Sequence, residues 1–289
     1  RITNGWQRSD LVIVAARPGM GKTAFCLSLA KNAALDYNRP VAFFSLEMSA
    51  LQLTHRLMSM VAEIPGSKLR NAQLEDYEWQ QLNSAVERFS EVPIFIDDTP
   101  AINIFELRAK CRRLKMHHDI QLVIVDYLQL MTANPDQKKG GTREQEISSI
   151  SRALKTMAKE LDVPVIALSQ LSRAVETRGG NKRPQLSDLR DSGAIEQDAD
   201  IVTFIYRPDY YEMEADPTIS KDQAEIIIAK HRNGALGTVN LKFINQYAKF
   251  TDPGDDFFND ISGKGPADNY NAIITRPSRI NDLDEPIPF

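Results

Sequence analysis

Residues 11–30 read Leu-Val-Ile-Val-Ala-Ala-Arg-Pro-Gly-Met-Gly-Lys-Thr-Ala-Phe-Cys-Leu-Ser-Leu-Ala, and this stretch decides the fold. The apolar run 11–15 predicts a buried strand, and the glycine-containing residues 16–21 predict a turn. The apolar residues 24–30 predict a helix. Strand, turn and helix in this order are the first unit of an α/β fold.

The segment 16–23 has the composition of a phosphate-binding loop. Successive backbone N–H groups of such a loop converge on an anion, and the following helix N-terminus adds partial positive charge. Lys22 is then placed to reach the β- and γ-phosphates, and the Thr23 hydroxyl to ligate Mg²⁺. The alternative is an ordinary strand-to-helix turn that contains a lysine by chance. The predicted contacts to a nucleoside triphosphate are Ala16, Arg17, Pro18, Gly19, Met20, Gly21, Lys22, Thr23 and Ala24.

Length and composition predict a soluble globular protein. The chain has 289 residues, 42% of them hydrophobic, which suffices for one α/β domain with a full core. No stretch of about 18 apolar residues and no signal-peptide pattern occurs, so we expect a cytosolic protein without a membrane span. The first residue is Arg1 rather than Met, which suggests a fragment of a longer protein. Cys26 and Cys111 lie in apolar helical stretches and are expected to be buried free thiols.

Charge is unevenly divided along the chain. Residues 251–289 contain eight acidic and three basic side chains, a net charge of −5, which leaves +1 for residues 1–250 of a chain whose total is −4. A site for a polyanion must therefore be a local basic cluster rather than a whole basic face. The helix predicted over 103–118 carries five basic side chains on its polar face, although such faces usually contact only water.

Strand and helix patterns alternate at least five times. Further apolar runs predict strands over 40–46, 93–98, 122–127, 164–171 and 201–206. The alternation predicts a mainly parallel, doubly wound sheet with helices on both faces.

Three polar residues, Glu47, Asp126 and Gln170, come at the C-terminal ends of predicted strands. They share the sheet edge of the phosphate-binding loop, where open α/β sheets bind ligands. In a protein with such a loop, an aspartate placed like Asp126 holds the water shell of Mg²⁺, so Thr23 and Asp126 are the predicted metal ligands. The alternative for Asp126 is a helix cap or turn.

Six motifs in order resemble the RecA-like ATPase domain of DnaB-type replicative DNA helicases, over roughly residues 1–252. Ala16 departs from the glycine that opens the generic loop but is usual in this family. The resemblance implies a RecA-like P-loop NTPase fold that binds ATP and Mg²⁺. Beyond the phosphate-binding loop, the motifs are Ser-Leu-Glu-Met-Ser (45–49), Val-Ile-Val-Asp-Tyr-Leu-Gln-Leu-Met (123–131), Ala-Leu-Ser-Gln-Leu (167–171), Leu-Arg-Asp-Ser-Gly-Ala-Ile-Glu-Gln-Asp-Ala-Asp (189–200) and Ala-Lys-His-Arg-Asn-Gly (229–234).

The resemblance implies catalytic roles beside that of Lys22. Glu47 would orient or deprotonate the attacking water, although the residues alone equally allow a helix cap. Gln170 would sense the γ-phosphate; a buried amide that satisfies backbone groups is the alternative. Lys230 and Arg232 would reach the nucleotide of a neighbouring subunit, with Arg232 as the arginine finger, whereas without the family they flank a hairpin. A finger supplied in trans implies a ring.

DNA contacts are implied by the same resemblance. Arg190, Asp191 and Gly193 match the family's segment that holds the single-strand backbone, where a small residue lets a phosphate approach. Arg183 belongs to the locally basic segment 173–190, which has five basic and two acidic side chains. Few aromatic residues occur there, which favours backbone contacts over base stacking.

The predicted division is a RecA-like helicase ATPase domain over 1–252 and an acidic, disordered tail over 253–289. The last residues, 282–289, resemble the acidic, Phe-ending tip of bacterial single-stranded-DNA-binding proteins. A solubilising tail is the alternative.

The predicted function is an ATP-driven motor that moves 5′ to 3′ on single-stranded DNA and unwinds duplex DNA at the replication fork. The resemblance implies a homohexamer in the bacterial cytoplasm, with primase and a helicase loader as further partners. A RecA-like recombination or regulatory ATPase in another assembly is the first alternative, and a nucleotide-gated scaffold without turnover is the second. The Glu-Met-Ser motif and the Lys230/Arg232 pair favour the helicase.

Overall fold

One sheet runs through the computed structural model, which describes residues 2–132, 142–179, 182–211 and 222–254, with the backbone alone for 190–194. The strand order across the sheet is β3-β2-β4-β5-β1-β6-β7-β8-β9. Its strands are β1 Leu11–Ala16, β2 Val41–Ser45, β3 Ile94–Asp97, β4 Leu122–Asp126, β5 Val165–Gln170, β6 Ile201–Tyr206, β7 Gln223–His231, β8 Gly237–Ile244 and β9 Lys249–Thr251.

Helices connect the strands and cover both faces of the sheet. The strands from β3 to β6 in the spatial order are parallel, whereas β7, β8 and β9 extend the sheet in antiparallel fashion. The prediction of a mainly parallel, doubly wound sheet is therefore confirmed. The α-helices are α1 Lys22–Lys31, α2 Ala50–Ala62, α3 Gly66–Asn71, α4 Asp76–Phe89, α5 Ile104–His118, α6 Arg143–Leu161, α7 Ala174–Thr177 and α8 Gly193–Asp198.

Two apolar layers, one on each face of the sheet, hold these helices. Ile13 of β1 packs in the layer that contains Leu154 of α6, and its neighbour Val14 packs in the layer that contains Leu27 of α1. Successive strand residues point to opposite faces, so a strand covered on both sides must be apolar throughout. This is why the central strands read as unbroken apolar runs.

Strand β9 has no signal in the sequence pattern. Three residues are too few for an alternation of period two to be recognised. Phe250 anchors the strand, because its ring lies 5.4 Å from the ring of Phe25 on α1 and 4.7 Å from that of Phe243 on β8.

The described residues up to Pro253 belong to one compact unit. Residues 255–289, which include nearly all of the predicted tail, lie outside the described part of the chain. None of the helices in the described ranges combines the length and apolarity that crossing a membrane requires. Cys26 and Cys111 are both buried.

The basic face of α5 is largely paired with carboxylates of the same chain. These pairs leave the helix face little positive charge for a polyanion, which favours the solvated interpretation. The ion pairs are Arg108 and Arg112 with Glu160, Lys110 with Asp97 and Glu106, and Lys115 with Asp119.

Candidate functional site

The predicted phosphate-binding loop connects β1 to α1. Gly19 and Gly21 adopt φ angles of +80° and +92°, a left-handed conformation that strains other residues. The Phe25 N–H donates to the Gly21 carbonyl at 2.8 Å, which starts the helix immediately after the loop. Met20 is buried beneath the loop. Pro18 and Gly19 are exposed, so the loop over 16–23, called the cradle below, is accessible to a ligand, as a phosphate site requires.

Lys22, Thr23 and Asp126 meet beside the cradle. The Lys22 Nζ donates to the Ala16 carbonyl at 3.0 Å, and the Thr23 hydroxyl donates to Asp126 Oδ2 at 2.6 Å. Asp126 is 1% exposed, and its Oδ1 has no hydrogen-bond partner in the described part of the chain. A buried carboxylate oxygen without a partner is costly unless a cation or water satisfies it. Thr23 and Asp126 therefore fit a Mg²⁺ site, which is what their residue types predict.

Electrostatics couple the same residues. Burial lowers the pKa of Lys22, and the charges of Asp126 and Glu47 act in the opposite direction. Burial raises the pKa of Asp126, against the Thr23 hydrogen bond, and the charge of Glu47 raises it further. Glu47 is therefore close enough to influence both groups. A bound polyphosphate would favour the charged form of Lys22, and a bound cation would favour the charged form of Asp126.

Glu47 is not a helix cap. The cap of α2 is Ser49, which forms a capping box with Gln52, and the helix starts at Ala50. The Leu46 N–H donates to the Asp126 carbonyl at 2.7 Å, so the segment that carries Glu47 is attached to the end of β4. The exposed Glu47 carboxylate is thereby presented at the same sheet edge as the cradle.

Gln170 ends β5, in register with Ala16 at the end of β1. The side chain of Gln129 holds its backbone: Gln129 Oε1 accepts from the Gln170 N–H at 3.3 Å, and Nε2 donates to the Gln170 carbonyl at 3.4 Å and to Ser169 Oγ at 2.9 Å. Sequence analysis missed Gln129. Its position three residues after Asp126, inside a motif already singled out, is the only available signal.

Arg56 of α2 was also missed. Its guanidinium is partly buried, which lowers its pKa, and the carboxylates of Asp126 and Glu47 oppose this shift. A cavity of about 420 Å³ beside it is lined by Arg56, Arg70 and Tyr247 among others. The spacing of nine residues from Glu47 carries no motif, so only the fold brings Arg56 to this edge.

The side chain of Arg17 points away from the cradle. Its Nε donates to Glu176 Oε1 at 2.9 Å, and Nη1 donates to the Leu171 carbonyl at 2.8 Å. Any contact between Arg17 and a nucleotide would therefore come from its backbone.

Lys230 and Arg232 lie at the end of the sheet where the parallel strands begin, whereas the cradle lies at the end where these strands finish. The Arg232 N–H donates to the Asp200 carbonyl at 2.9 Å, and Asp200 Oδ2 accepts from the N–H of Leu11, the first residue of β1. The cradle follows Ala16, the last residue of β1. At a rise of 3.3–3.4 Å per residue, Ala16 lies about 17 Å from Leu11, the first residue of the strand. Both basic side chains donate to the Gln197 carbonyl at the end of α8.

The predicted DNA contacts are only partly within the described residues. For Arg190, Asp191 and Gly193 the structure describes only the backbone, which belongs to a 3₁₀ helix over 186–192 and the start of α8. Arg183 pairs with Glu225 and donates to the Thr238 hydroxyl at 2.9 Å. The DNA contacts remain predictions.

Gly21→Ala is expected to weaken nucleotide binding and to lower the free energy of unfolding by about 1–3 kcal/mol. The left-handed φ strains alanine, and its Cβ would lie 3.2 Å from the Phe250 ring. Gly179→Ala is the control, since nothing lies within 4 Å of a Cβ there. Denaturant unfolding and titration with a fluorescent ATP analogue measure both effects. Equal behaviour of the two variants would contradict the assigned role of the loop.

A mainly parallel sheet with a glycine-containing loop between β1 and α1, followed by Lys22 and Thr23, and with a buried aspartate at the end of β4 fits the class of P-loop NTPases. The chain belongs to the family described as DnaB-like helicase C terminal domain, whose model matches residues 1–252.

Similar proteins agree with this assignment. The chain is 53% identical over 250 residues to the replicative DNA helicase DnaB of Geobacillus stearothermophilus and 52% identical over 250 residues to the replicative DNA helicase DnaC of Bacillus subtilis. Each match covers 86% of this chain and 54% of the relative, so the chain spans about half the length of these relatives.

Two solved structures are also similar, each with a TM-score of 0.81 and 45% identity over 87% of this chain. One is the ATPase domain of G40P, of which 87% is covered. The other is a DnaB-like replicative helicase described with its primase interactions, of which 59% is covered.

Proposed function

We propose that this chain is the ATP-hydrolysing motor domain of a replicative DNA helicase, which works as a homohexameric ring and moves 5′ to 3′ on single-stranded DNA. The observation that carries the proposal is the meeting of Lys22, Asp126 and Glu47 at one sheet edge of a chain from the DnaB-like helicase family. The names of the relatives supply the replicative role.

The substrate is ATP, bound with its phosphates on the backbone N–H groups of residues 16–23 and beside Lys22. Thr23 and Asp126 would hold Mg²⁺, which neutralises charge on the phosphates. Glu47 orients the attacking water and accepts its proton. Gln170 would respond to the γ-phosphate, and Gln129 would keep its backbone in place.

Arg232 is proposed to act as an arginine finger in trans, on the nucleotide of a neighbouring subunit. Arg232 sits near the start of β1, and the strand separates it from the cradle by about 17 Å, which is beyond the reach of its side chain. A head-to-tail contact between subunits would bring Lys230 and Arg232 to the next cradle, and repeated contacts of this kind form a ring or a filament, depending on the rotation between subunits. This geometry supports a head-to-tail assembly, and the family supports a ring of six subunits.

Single-stranded DNA would run through the ring along the segments that follow β4 and β5. Arg183, Arg190, Asp191 and Gly193 are the proposed contacts, mainly to the phosphate backbone. Primase is proposed as a further partner, because one of the similar helicase structures is described with its primase interactions. A helicase loader and a location in the bacterial cytoplasm are proposed from the family alone. A RecA-like domain over 1–252 and an acidic tail over 253–289 complete the proposal.

Steady-state ATP turnover with and without oligo-dT tests this function. We expect hydrolysis to need Mg²⁺ and to rise with oligo-dT, and a 5′-tailed fork to be unwound in preference to a 3′-tailed one. A rate of ATP turnover that is the same with and without oligo-dT would favour a regulatory ATPase. Negligible turnover with retained ATP binding would favour the nucleotide-gated scaffold.

A further inference from the structure

The side chain of Arg17 connects the cradle to the segment 171–188, which follows β5. The Arg17 side chain is 6% exposed, so water does little to solvate the charge of its guanidinium. Among the described residues, Glu176 of α7 is its carboxylate partner, at 2.9 Å, and this side chain is 43% exposed. A buried arginine depends strongly on such a partner, because removing it leaves an uncompensated charge.

The segment 171–188 is closed at its base and tied to the cradle. The Ser172 N–H donates to the Asp188 carbonyl at 3.1 Å, and Asp188 also pairs with Arg178. At the cradle side, the Leu171 N–H donates to the Ala16 carbonyl at 3.2 Å while the Leu171 carbonyl accepts from Arg17. A shift of the cradle backbone at Arg17 would therefore act on Leu171 and Glu176, which belong to the described part of the segment, residues 171–179 and 182–188.

The loop and the segment also share a backbone carbonyl. The Ala16 carbonyl accepts from the Lys22 Nζ at 3.0 Å and from the Leu171 N–H at 3.2 Å. A triphosphate that drew the Lys22 ammonium toward its phosphates would change the hydrogen bonding of this carbonyl, next to the residue whose own carbonyl accepts from Arg17. The position of Glu176 and the occupancy of the cradle are then linked, and such linkage is reciprocal.

We propose that the Arg17–Glu176 ion pair transmits nucleotide occupancy from the cradle to the segment 171–188. Arg17 and Glu176 are positioning residues here, distinct from the sensor role proposed for Gln170. The consequence for DNA binding rests on the proposed function, because only there does the basic segment contact DNA. The transmission itself rests on one part of that function, the binding of a nucleotide at the cradle.

Trypsin cleavage in the segment tests the proposal without DNA. In the unmodified protein, a non-hydrolysable ATP analogue with Mg²⁺ is expected to change the cleavage rate by about 5-fold or more. In Glu176→Gln the rate should be the same with and without the analogue, and Glu176→Asp should restore part of the effect. Cleavage is followed after Arg173, Arg178 and Lys182.

The control is Glu160→Gln on α6. This change also removes a carboxylate that is paired with arginine, in this case with Arg108 and Arg112. It should keep the full effect of the analogue. If Glu176→Gln keeps it too, or if the unmodified protein lacks it, the proposal is wrong. Faster cleavage of Glu176→Gln with an intact nucleotide effect would mark a merely structural pair.

Oligo-dT affinity with and without the analogue separates this proposal from the proposed function. If the ATP analogue changes the oligo-dT affinity of the unmodified protein but not that of Glu176→Gln, the result supports both the ion-pair proposal and the proposed function. A segment that responds to nucleotide through Glu176, in a protein that binds no oligo-dT, would support the ion-pair proposal and overturn the helicase function.

Discussion

Arg232→Ala is expected to lower DNA-stimulated ATP turnover by about 10³-fold or more, the effect of removing arginine fingers in other NTPases. The reason is that, in the proposed ring, its guanidinium would stabilise the charge on the phosphates at the next subunit's cradle. ATP affinity should change much less, because the finger acts on the charge that develops during phosphoryl transfer.

Mixing makes the test specific for action in trans. When Arg232→Ala is co-assembled with Glu47→Gln, two variants that are each expected to be nearly inactive, turnover should return, because an Arg232→Ala subunit keeps its own Glu47 and can receive the finger of a Glu47→Gln neighbour. Arg112→Ala is the control and should stay active, since its side chain is 55% exposed against 46% for Arg232 and also pairs with a carboxylate. A mixture that stays as inactive as either variant alone would exclude an in-trans finger.

Glu47→Gln is expected to lower kcat by about 10²–10⁴-fold, the usual contribution of a general base. The amide keeps the shape of the side chain but cannot accept the proton of the attacking water. Affinity for a non-hydrolysable ATP analogue should be unchanged or tighter, because the change removes a negative charge that acts on both Lys22 and Asp126.

Single-turnover hydrolysis and equilibrium titration measure the two quantities separately. Glu87→Gln on the exposed face of α4 is the control and should behave as the unmodified protein. If Glu47→Gln kept full turnover, Glu47 would not be the general base, and another group would have to accept the proton.

The sequence by itself determined the central unit of the fold and the chemistry at its end. Glycines at positions 19 and 21 followed by Lys22 and Thr23 predict a cradle, because the required backbone angles and functional groups are properties of adjacent residues. Asp126 was predicted for the same reason, since an apolar run that ends in a carboxylate is a local pattern. The family resemblance over 1–252 was confirmed.

Only the tertiary structure decided where the long side chains point. Arg17 lies inside the loop motif, yet its guanidinium pairs with Glu176, 159 residues away. Arg232 is placed at the opposite end of the parallel strands from the cradle by the antiparallel pairing of β7 with β6. These outcomes depend on pairing between distant segments and on flexible side chains, and no local spacing encodes either of them.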